Sequence, residues 1–447
     1  MKKINILFAG ILLVLANSCS KSNNDKPTPK PAPLSITSFT PETGTVGTTI
    51  TITGAAFGTN ANLIGITIGS SAAVKPKTIT DTKLTVDVPA DATTGKITVA
   101  VTGGSSATST DSFTFTPATI DYSTYNVITY TSAESLSVAR DGLAAAAAGT
   151  KILFAGGTTD GGGTNFDAVD VYDIKTDKWS TAKLSQARYR LAAAAAGTKI
   201  LFGGGVTENG YSDAVDIYDV TTNAWTTTKL SQARGILTAA AAGNKIVFAA
   251  GDGGNGYSDV VDIYDVSTNS WTTAKLSKPR RKLAAAAAGN IIMFAGGEED
   301  DLSSSKIVDI YNVSTNQWTT SSLSEGRYAL AGAGAGNKIV FSGGGTSSTA
   351  DIYDITTNTW STLPVSEERE YITAAAGGTK IVFGSDGSNK TVDVYDVVSN
   401  SFTTLQISEN TSEPAAACVG DKLLIAGGSL GTGAASKTAS VYTLTKQ

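Results

Sequence analysis

Short apolar runs follow one another in a fixed order along most of the chain, with turn-forming residues between them. One stretch contains, in succession, Leu191–Ala196, Lys199–Gly204, Ala214–Val220 and Asn223–Thr228. Each run is too short for a stable helix, and glycine or polar residues separate the runs, so the pattern predicts four short strands. We name them a, b, c and d. Strand a is mostly alanine, a strong helix former, but we expect small side chains to suit a strand on a crowded axis.

This four-strand unit repeats about every 46 residues, a period typical of propellers and solenoids. An arginine opens six of the units, at Arg140, Arg188, Arg234, Arg280, Arg327 and Arg369. A Trp or Phe closes the same six units, at Trp179, Trp225, Trp271, Trp318, Trp360 and Phe402. One small sheet cannot bury its apolar faces alone, so the copies must pack against one another.

The last copy of the unit is incomplete. Strand b occurs seven times, and its last copy, Leu423–Gly428, leads to Tyr442 without a strand d. Asn126–Thr131, upstream of the first copy, reads as an extra strand. We therefore expect a seven-bladed propeller over residues 118–447, closed by the N-terminal strand around 126–131.

The pair Gly156-Gly157, followed by Tyr172 and Trp179, resembles the kelch motif. Later copies vary, since Ala250-Gly251 and Gly384-Ser385 replace the glycine pair. The resemblance covers the whole repeat region and implies a β-propeller like the central domain of galactose oxidase. It implies no single function, because kelch propellers serve as enzymes, adaptors and binding proteins. The radical-copper oxidases among them need histidine ligands, which this chain lacks.

Residues 34–117 alternate apolar and polar positions, as in Thr49–Thr53, Leu84–Val88 and Ile97–Val101. Such alternation, with Gly and Pro between the runs, predicts a small β-sandwich. The stretch Ile36–Gly47, continued to Gly58, resembles the opening of an IPT/TIG domain. That resemblance implies an immunoglobulin-like spacer or interaction module. The predicted fold class is all-β, a sandwich followed by a propeller.

Residues 1–18 read as a lipoprotein signal peptide, because Lys2 and Lys3 precede an apolar run that is too short to span a bilayer. Leu15–Cys19 resembles a bacterial lipobox, which implies lipidation of Cys19; an ordinary secretory signal is the alternative. Residues 19–33 are rich in Pro and Lys and predict an extended tether. We expect a protein held at the bacterial outer membrane by a lipid anchor alone, either periplasmic or surface-exposed.

Composition narrows the chemistry. The chain has no histidine and a net charge of −5. The commonest general base and imidazole metal ligand are therefore missing, and Ser or Cys catalysis lacks its usual partner. No basic block indicates nucleic-acid binding. We expect no catalytic residue, no cofactor and no metal. The carboxylates of the acidic run Glu298–Asp301 could bind Ca²⁺. The run lacks the ligand spacing of a calcium loop, however, so we interpret it as a solvated charge run.

The repeated arginines allow two interpretations. They begin strand a near the expected channel mouth, where a ring of cations would attract an anion. Alternatively, each pairs with the aspartate two residues before the strand c tyrosine, at Asp170, Asp216, Asp262, Asp309, Asp351 and Asp393. The seventh unit has Thr411 and Ser440 at these two positions, so both charges vanish together. This favours a structural pair within each blade.

The loops between strands b and c differ among the copies, and they should share a face with the loops that carry the arginines. The candidate ligand-binding residues on this face are Phe166, Tyr189, Arg190, Tyr211, Tyr257, Arg281, Tyr328 and Tyr371. Exposed aromatic rings would stack on sugars; packing between blades is the alternative. We expect a monomeric, non-catalytic protein that binds a glycan or an envelope or extracellular protein. A polysaccharide-processing enzyme that works without histidine and a purely structural or adhesive protein are the alternatives.

Overall fold

The computed structural model describes residues 32–89, 92–115, 127–159, 161–384, 386–387 and 390–445. These residues form β-strands and one short 3-10 helix, Ala61–Leu63. No helix among them is long and apolar enough to cross a membrane. The predicted signal peptide and Cys19 lie outside the described residues.

The N-terminal part is a sandwich of two four-stranded sheets. The first sheet contains, in spatial order, Ser35–Thr40, Thr49–Ala55, Lys83–Asp87 and Thr78–Ile79. The second contains Thr43–Gly44, Ser106–Phe115, Gly95–Val101 and Ile64–Ile68. Alternate residues face the space between the sheets, and Ile52, Leu84 and Ile97 are fully buried there. The period-two pattern predicted these strands because one face of each is apolar.

The described residues from 127 onward form seven four-stranded sheets, each with the order a-b-c-d. Strands a are Ala144–Ala148, Ala192–Ala196, Thr238–Ala242, Ala284–Ala288, Ala331–Ala335, Ala374–Gly377 and Ala415–Val419. Strands b are Lys151–Ala155, Lys199–Gly203, Lys245–Ala249, Ile291–Ala295, Lys338–Ser342, Lys380–Phe383 and Lys422–Ala426. Strands c are Ala168–Asp173, Ala214–Asp219, Val260–Asp265, Ile307–Asn312, Thr349–Asp354, Thr391–Asp396 and Thr438–Thr445.

Strands d are Lys178–Lys183, Ala224–Lys229, Ser270–Lys275, Gln317–Ser322, Thr359–Pro364, Ser401–Gln406 and, for blade 7, Val127–Ser135. Two further pairs of two-residue strands lie in loops. Val206–Thr207 pairs with Gly210–Tyr211, and Thr411–Ser412 pairs with Ser429–Leu430. Each strand a contacts strand a of the next blade, and that of blade 7 contacts that of blade 1. The ring is therefore closed, and the all-β fold of sandwich plus propeller is confirmed.

Blade 7 combines both ends of the propeller region. Its strand c, Thr438–Thr445, pairs antiparallel with Val127–Ser135, which precedes blade 1 in the chain. Tyr130 lies opposite Tyr442, with their ring centroids 5.8 Å apart, at the place where other blades pair a Tyr with a Trp or Phe. The incomplete last repeat predicted a closing strand in this region, because a blade without strand d would leave an open sheet edge.

Aromatic side chains fill the space between neighbouring blades. Phe202 and Tyr218 of blade 2 pack against Leu153 and Val171 of blade 1, and the other interfaces repeat this arrangement. The Tyr218 hydroxyl donates to Asn223 Oδ1 at 2.6 Å. Asn223 lies in the left-handed region with φ 55°. The recurring Asn before Trp is therefore both a turn residue and the partner of the strand c tyrosine.

The glycine pair after strand b allows adjacent blades to approach closely. A Cβ on Gly204 would lie 2.6 Å from Arg234 O and 2.9 Å from Leu237 Cδ1 of the next blade. A Cβ on Gly205 would lie 2.9 Å from Tyr189 O. A larger residue at Gly204 would displace the segment that carries Leu237, and Leu237 lines the axial cavity.

Candidate functional site

The six repeated arginines are buried rather than displayed at the channel mouth. Five are 0% exposed and Arg369 is 3% exposed. Each forms an ion pair with the aspartate of its own blade. Nη2–Oδ2 distances are 2.6 Å for Arg140–Asp170, Arg188–Asp216 and Arg234–Asp262, and 2.8 Å for Arg327–Asp351; the other pairs are Arg280–Asp309 and Arg369–Asp393.

Each pair ties a loop to its blade. Arg188 Nη2 also donates to Phe202 O at 3.0 Å, and Asp216 Oδ1 accepts the N–H of Ser185 at 3.0 Å. Burial lowers the pKa of Arg188, and attraction to Asp216 opposes that shift. The guanidinium stays charged. The interpretation of these arginines as an anion-attracting ring at the mouth is wrong, because no ligand can reach their guanidinium groups.

A second ring lies two residues further along each copy. Its members all have positive φ: Gly142 (57°), Arg190 (49°), Ile236 (54°), Lys282 (52°), Ala329 (54°), Tyr371 (55°) and Glu413 (51°). We call these seven residues the axial rim. Together with the residues that follow them, they line an open cavity of about 220 Å³ on the propeller axis. The following residues are Leu143, Leu191, Leu237, Leu283, Leu330, Ile372 and Pro414, which form an apolar collar.

Backbone hydrogen bonds link the rim from blade to blade. The N–H of Arg190 donates to Gly142 O at 2.7 Å, and that of Ile236 donates to Arg190 O at 3.0 Å. The same bond joins Ala329 to Lys282, Tyr371 to Ala329 and Glu413 to Tyr371. The left-handed conformation costs roughly 1–2 kcal/mol for a residue with a side chain. It is a marked outlier for a β-branched residue such as Ile236.

Charges at the rim occur in opposite pairs. Arg190 Nη2 lies 3.1 Å from Glu413 Oε1, and Lys282 Nζ lies 3.1 Å from Glu298 Oε2. Glu298 also accepts hydrogen bonds from Tyr257 Oη at 2.6 Å and Arg281 Nη2 at 2.8 Å. Burial alone would raise the pKa of Glu298, but these three partners outweigh it and hold that pKa at about 2.

Four tyrosines predicted as ligand contacts have a cation over their ring. Arg281 lies 4.5 Å from the ring centroid of Tyr257, and Arg190 lies 5.8 Å from that of Tyr189. Lys282 lies 5.3 Å from the centroid of Tyr328 and 5.7 Å from that of Tyr371. Part of the aromatic surface that a sugar would need is therefore already covered.

The structure brings only some of the predicted residues to the axial cavity. Arg190 and Tyr371 line it, whereas Phe166, Tyr189, Tyr211, Tyr257, Arg281 and Tyr328 do not. Phe166 is half-buried, and its N–H donates to Gly157 O at 2.9 Å. Sequence reasoning missed Ile236, Lys282 and Glu413. Their common signal is a position two residues past the Arg position that differs in every copy, directly before a residue that is Leu in five of the seven copies.

The sequence suggested that the acidic run at 298–301 is a solvated charge run. The structure corrects this prediction in part. Glu298 is buried, and Glu299 Oε2 lies 2.8 Å from Lys278 Nζ. Asp301 Oδ1 accepts the N–H of Ser303 at 3.0 Å. Protein groups therefore already engage these carboxylates. Within the described part of the chain, no group of three or more acidic or cysteine residues is placed to hold a metal ion.

Comparison with protein families agrees with this architecture. A model described as the KLHDC2/KLHL20/DRC7 Kelch-repeats domain matches residues 90–281, 142–344 and 238–428, which overlap. An IPT/TIG domain model matches residues 34–117. The chain therefore belongs to the kelch-repeat propeller proteins and carries an IPT/TIG domain, as the motifs suggested. No curated protein matches it. Domains of these two families typically act in protein binding or structural roles, without catalysis.

Proposed function

We propose that the chain is a monomeric, non-catalytic binding protein that holds a protein ligand at the axial rim and its collar. The observation that carries this proposal is backbone strain. Glycine would adopt the left-handed conformation at no steric cost, and blade 1 has Gly142 there. The other six blades keep a side chain at that position, although it costs stability. Strain retained at one set of positions indicates a functional site.

The identity of the rim residues supports recognition rather than packing. Positions with a structural task, such as the buried Arg and Asp, recur almost unchanged from copy to copy. The rim instead holds two cations, one anion, one aromatic and one branched aliphatic residue beside Gly and Ala. The seven rim residues share one backbone conformation, but each has a different side chain. A surface that binds one asymmetric ligand requires such differences.

The collar and the charge pairs favour a protein ligand over a glycan. The cavity of about 220 Å³ is lined at its base by leucine, isoleucine and proline, which suit an apolar side chain. The charges at the mouth are already paired within the protein. A glycan remains the second candidate, since Tyr189, Tyr328 and Tyr371 are only half-buried beside the opening.

The pKa values of the Glu298 network beside the rim support binding rather than catalysis. A proton-transfer residue works best with a pKa near the operating pH. Here the Glu298 pKa is held at about 2, while burial and the bond to Glu298 raise the pKa of Tyr257 to about 12. Both values are far from neutrality, so neither group suits the alternative role of acid or base in a histidine-free enzyme.

Site-specific photo-crosslinking tests the proposal. Benzoylphenylalanine replaces Tyr371 at the rim in one variant and Tyr130 in the control variant, in the organism's own cells. Tyr130 lies on the outer strand of blade 7 and is 40% exposed, so the two variants differ mainly in location. We expect a discrete crosslinked species from position 371 and none from position 130.

The nature of the crosslinked species decides between ligand classes. A peptide adduct supports the protein ligand, and a sugar adduct, with matching signals on a glycan array, supports the glycan. Equal crosslinking from both positions, or none from position 371, contradicts the rim as the binding site. New reducing ends or unsaturated products on incubation with polysaccharide would instead support the enzyme.

We also propose that Cys19 carries a lipid anchor and that the protein resides at the bacterial outer membrane. The lipobox-like Leu15–Cys19 and the tether after it support this location. Cys19→Ser should move the protein from the membrane pellet to the soluble fraction. Unchanged fractionation of that variant would contradict the anchor.

A further inference from the structure

Blade 7 lacks the buried Arg–Asp pair and contains a small, partly open space in its place. Thr411 and Ser440 occupy the two positions, and both are buried. A cavity of about 10 Å³ lies beside them, lined also by Glu409, Gly427, Thr438 and Tyr442 and by the apolar Ile407, Pro414 and Ile425. A space of this size corresponds to about one water-sized sphere.

Backbone oxygens that receive the guanidinium elsewhere have lost that donor in blade 7. In blade 4, Arg280 Nη1 donates to Gly296 O at 2.6 Å and to Ile307 O at 2.8 Å. The corresponding residues of blade 7 are Gly427 and Thr438, and both line the cavity. Thr438 O retains the N–H of Gly427 at 3.0 Å. Oxygen atoms therefore converge on a site that holds a cation in the other blades.

A carboxylate remains beside this site although its arginine is gone. In blade 5, Glu325 Oε1 lies 3.2 Å from Arg327 Nη2, and Glu367 pairs with Arg369 in the same way in blade 6. Glu409 has the same position in blade 7. Its carboxylate accepts a hydrogen bond from the Ser436 hydroxyl, and it forms no salt bridge with any residue that the structure describes.

A buried tyrosine of blade 7 also lines this cavity. Tyr442 is 0% exposed; its Oη makes no hydrogen bond of standard geometry with a described residue, and the nearby Ser440 hydroxyl opposes the rise that burial causes in the pKa of Tyr442. A buried polar group without a well-formed hydrogen bond destabilises the fold unless a water molecule or an ion satisfies it.

We propose that this cavity, the blade 7 slot, binds a small monovalent cation of the size of sodium, potassium or ammonium. The cation takes the place of the missing guanidinium, between Glu409 and the oxygens of Thr411, Ser440 and Tyr442. One carboxylate among neutral oxygens matches a single positive charge. Calcium sites generally use more carboxylates and six to eight ligands, which this space does not offer.

Thermal unfolding in different chloride salts at equal ionic strength tests the proposal. We compare sodium, potassium and ammonium with choline, which is too large for the slot. Because a ligand that binds only the folded state raises the Tm, the full-length protein should melt about 1–3 °C higher in at least one small cation than in choline.

Two variants and a control assign the effect to the slot. Glu409→Gln should lose the dependence on cation size, and so should Thr411→Arg with Ser440→Asp, because the new guanidinium fills the space. Glu325→Gln should keep the dependence on cation size, since in blade 5 the guanidinium of Arg327 fills the position that corresponds to the blade 7 slot. If the wild type melts alike in all four salts, or if Glu409→Gln retains the full difference, the slot holds only water and the proposal is wrong.

Discussion

Two rings surround the axis of this propeller, only two residues apart in each repeat, and they differ in almost every property. The arginine ring is buried, nearly identical in six of the seven blades, and paired with an aspartate in each of the six. The axial rim is partly open, different in every blade and held in a left-handed backbone conformation. Regularity therefore marks the residues that stabilise the fold, and strain combined with variety marks the residues that we propose for recognition.

The first ring shows why the most conspicuous motif is not the site. A buried guanidinium needs an anionic partner, and each of the six blades that contain the Arg supplies an aspartate from its own strand c. The Arg and the Asp recur together because each of these blades must neutralise the same buried charge. The rim has no such internal task, so each copy is free to differ.

The largest effect is expected from breaking one pair of the arginine ring. Arg234→Ala leaves Asp262 buried without its cation, which should lower the free energy of unfolding by about 3–5 kcal/mol. Denaturant titration measures this loss. Asp262→Asn and the double variant complete a cycle, and we expect strong coupling. Simple additivity of the two losses would mean that the ion pair contributes nothing and would weaken the contrast between the rings.

The second effect concerns the Glu298 network beside the rim. Its folded-state pKa of about 2 lies below the roughly 4.3 of an unfolded glutamate, so the unfolded chain takes up a proton first as the pH falls. The stability that the carboxylate provides is complete above about pH 5 and is lost toward pH 2. Glu298→Gln should therefore be less stable than wild type by about 1–3 kcal/mol at pH 7, where solvent screening reduces the full effect of the shift, and should differ little near pH 2. A constant difference across that range would contradict the assigned network.

The third effect separates the rim from the strand beside it. Ala329 and Ala333 are both 8% exposed, but only Ala329 has a positive φ. Ala329→Gly should stabilise the protein by about 0.5–1 kcal/mol, because it relieves the left-handed strain. Ala333→Gly in strand a should destabilise it by a similar amount. Equal destabilisation by both substitutions would remove the argument from strain.

The smallest effect is expected for the ion pair within the rim. The side chains of Arg190 and Glu413 are 35% and 27% exposed. A double-mutant cycle with Arg190→Ala and Glu413→Ala should give a coupling below about 1 kcal/mol that weakens as salt is added. A coupling as large as that of a buried pair would show that the rim is structural after all.

Part of this architecture was predictable because the seven copies of the repeat can be compared with one another within one sequence. Thr411 and Ser440 replace both partners in one copy, and that joint loss indicated the Arg–Asp pairs before any distance was known. The missing strand d of blade 7 likewise indicated a closing strand upstream of blade 1, which Val127–Ser135 provides. Regular positions are readable because seven copies obey one set of constraints.

The rim and the slot were not predictable from the same pattern. Ile236, Lys282 and Ala329 give no local sign of a left-handed backbone, which glycine or asparagine would have suggested. The network of Tyr257, Arg281 and Glu298 joins loops of blades 3 and 4, so it depends on how the blades pack. The cavity of blade 7 arises from an absent side chain, which a motif search does not register.

One measurement tests the contrast between the rings most directly: the crosslinking yield from position 371 in the backgrounds Arg234→Ala and Ile236→Gly, corrected for the folded fraction. These residues are two positions apart but belong to different rings. The account predicts that Arg234→Ala loses stability yet keeps the wild-type yield per folded molecule, whereas Ile236→Gly keeps most of its stability and loses most of the yield. The opposite pattern, with the yield lost in folded Arg234→Ala and unchanged in Ile236→Gly, would contradict it.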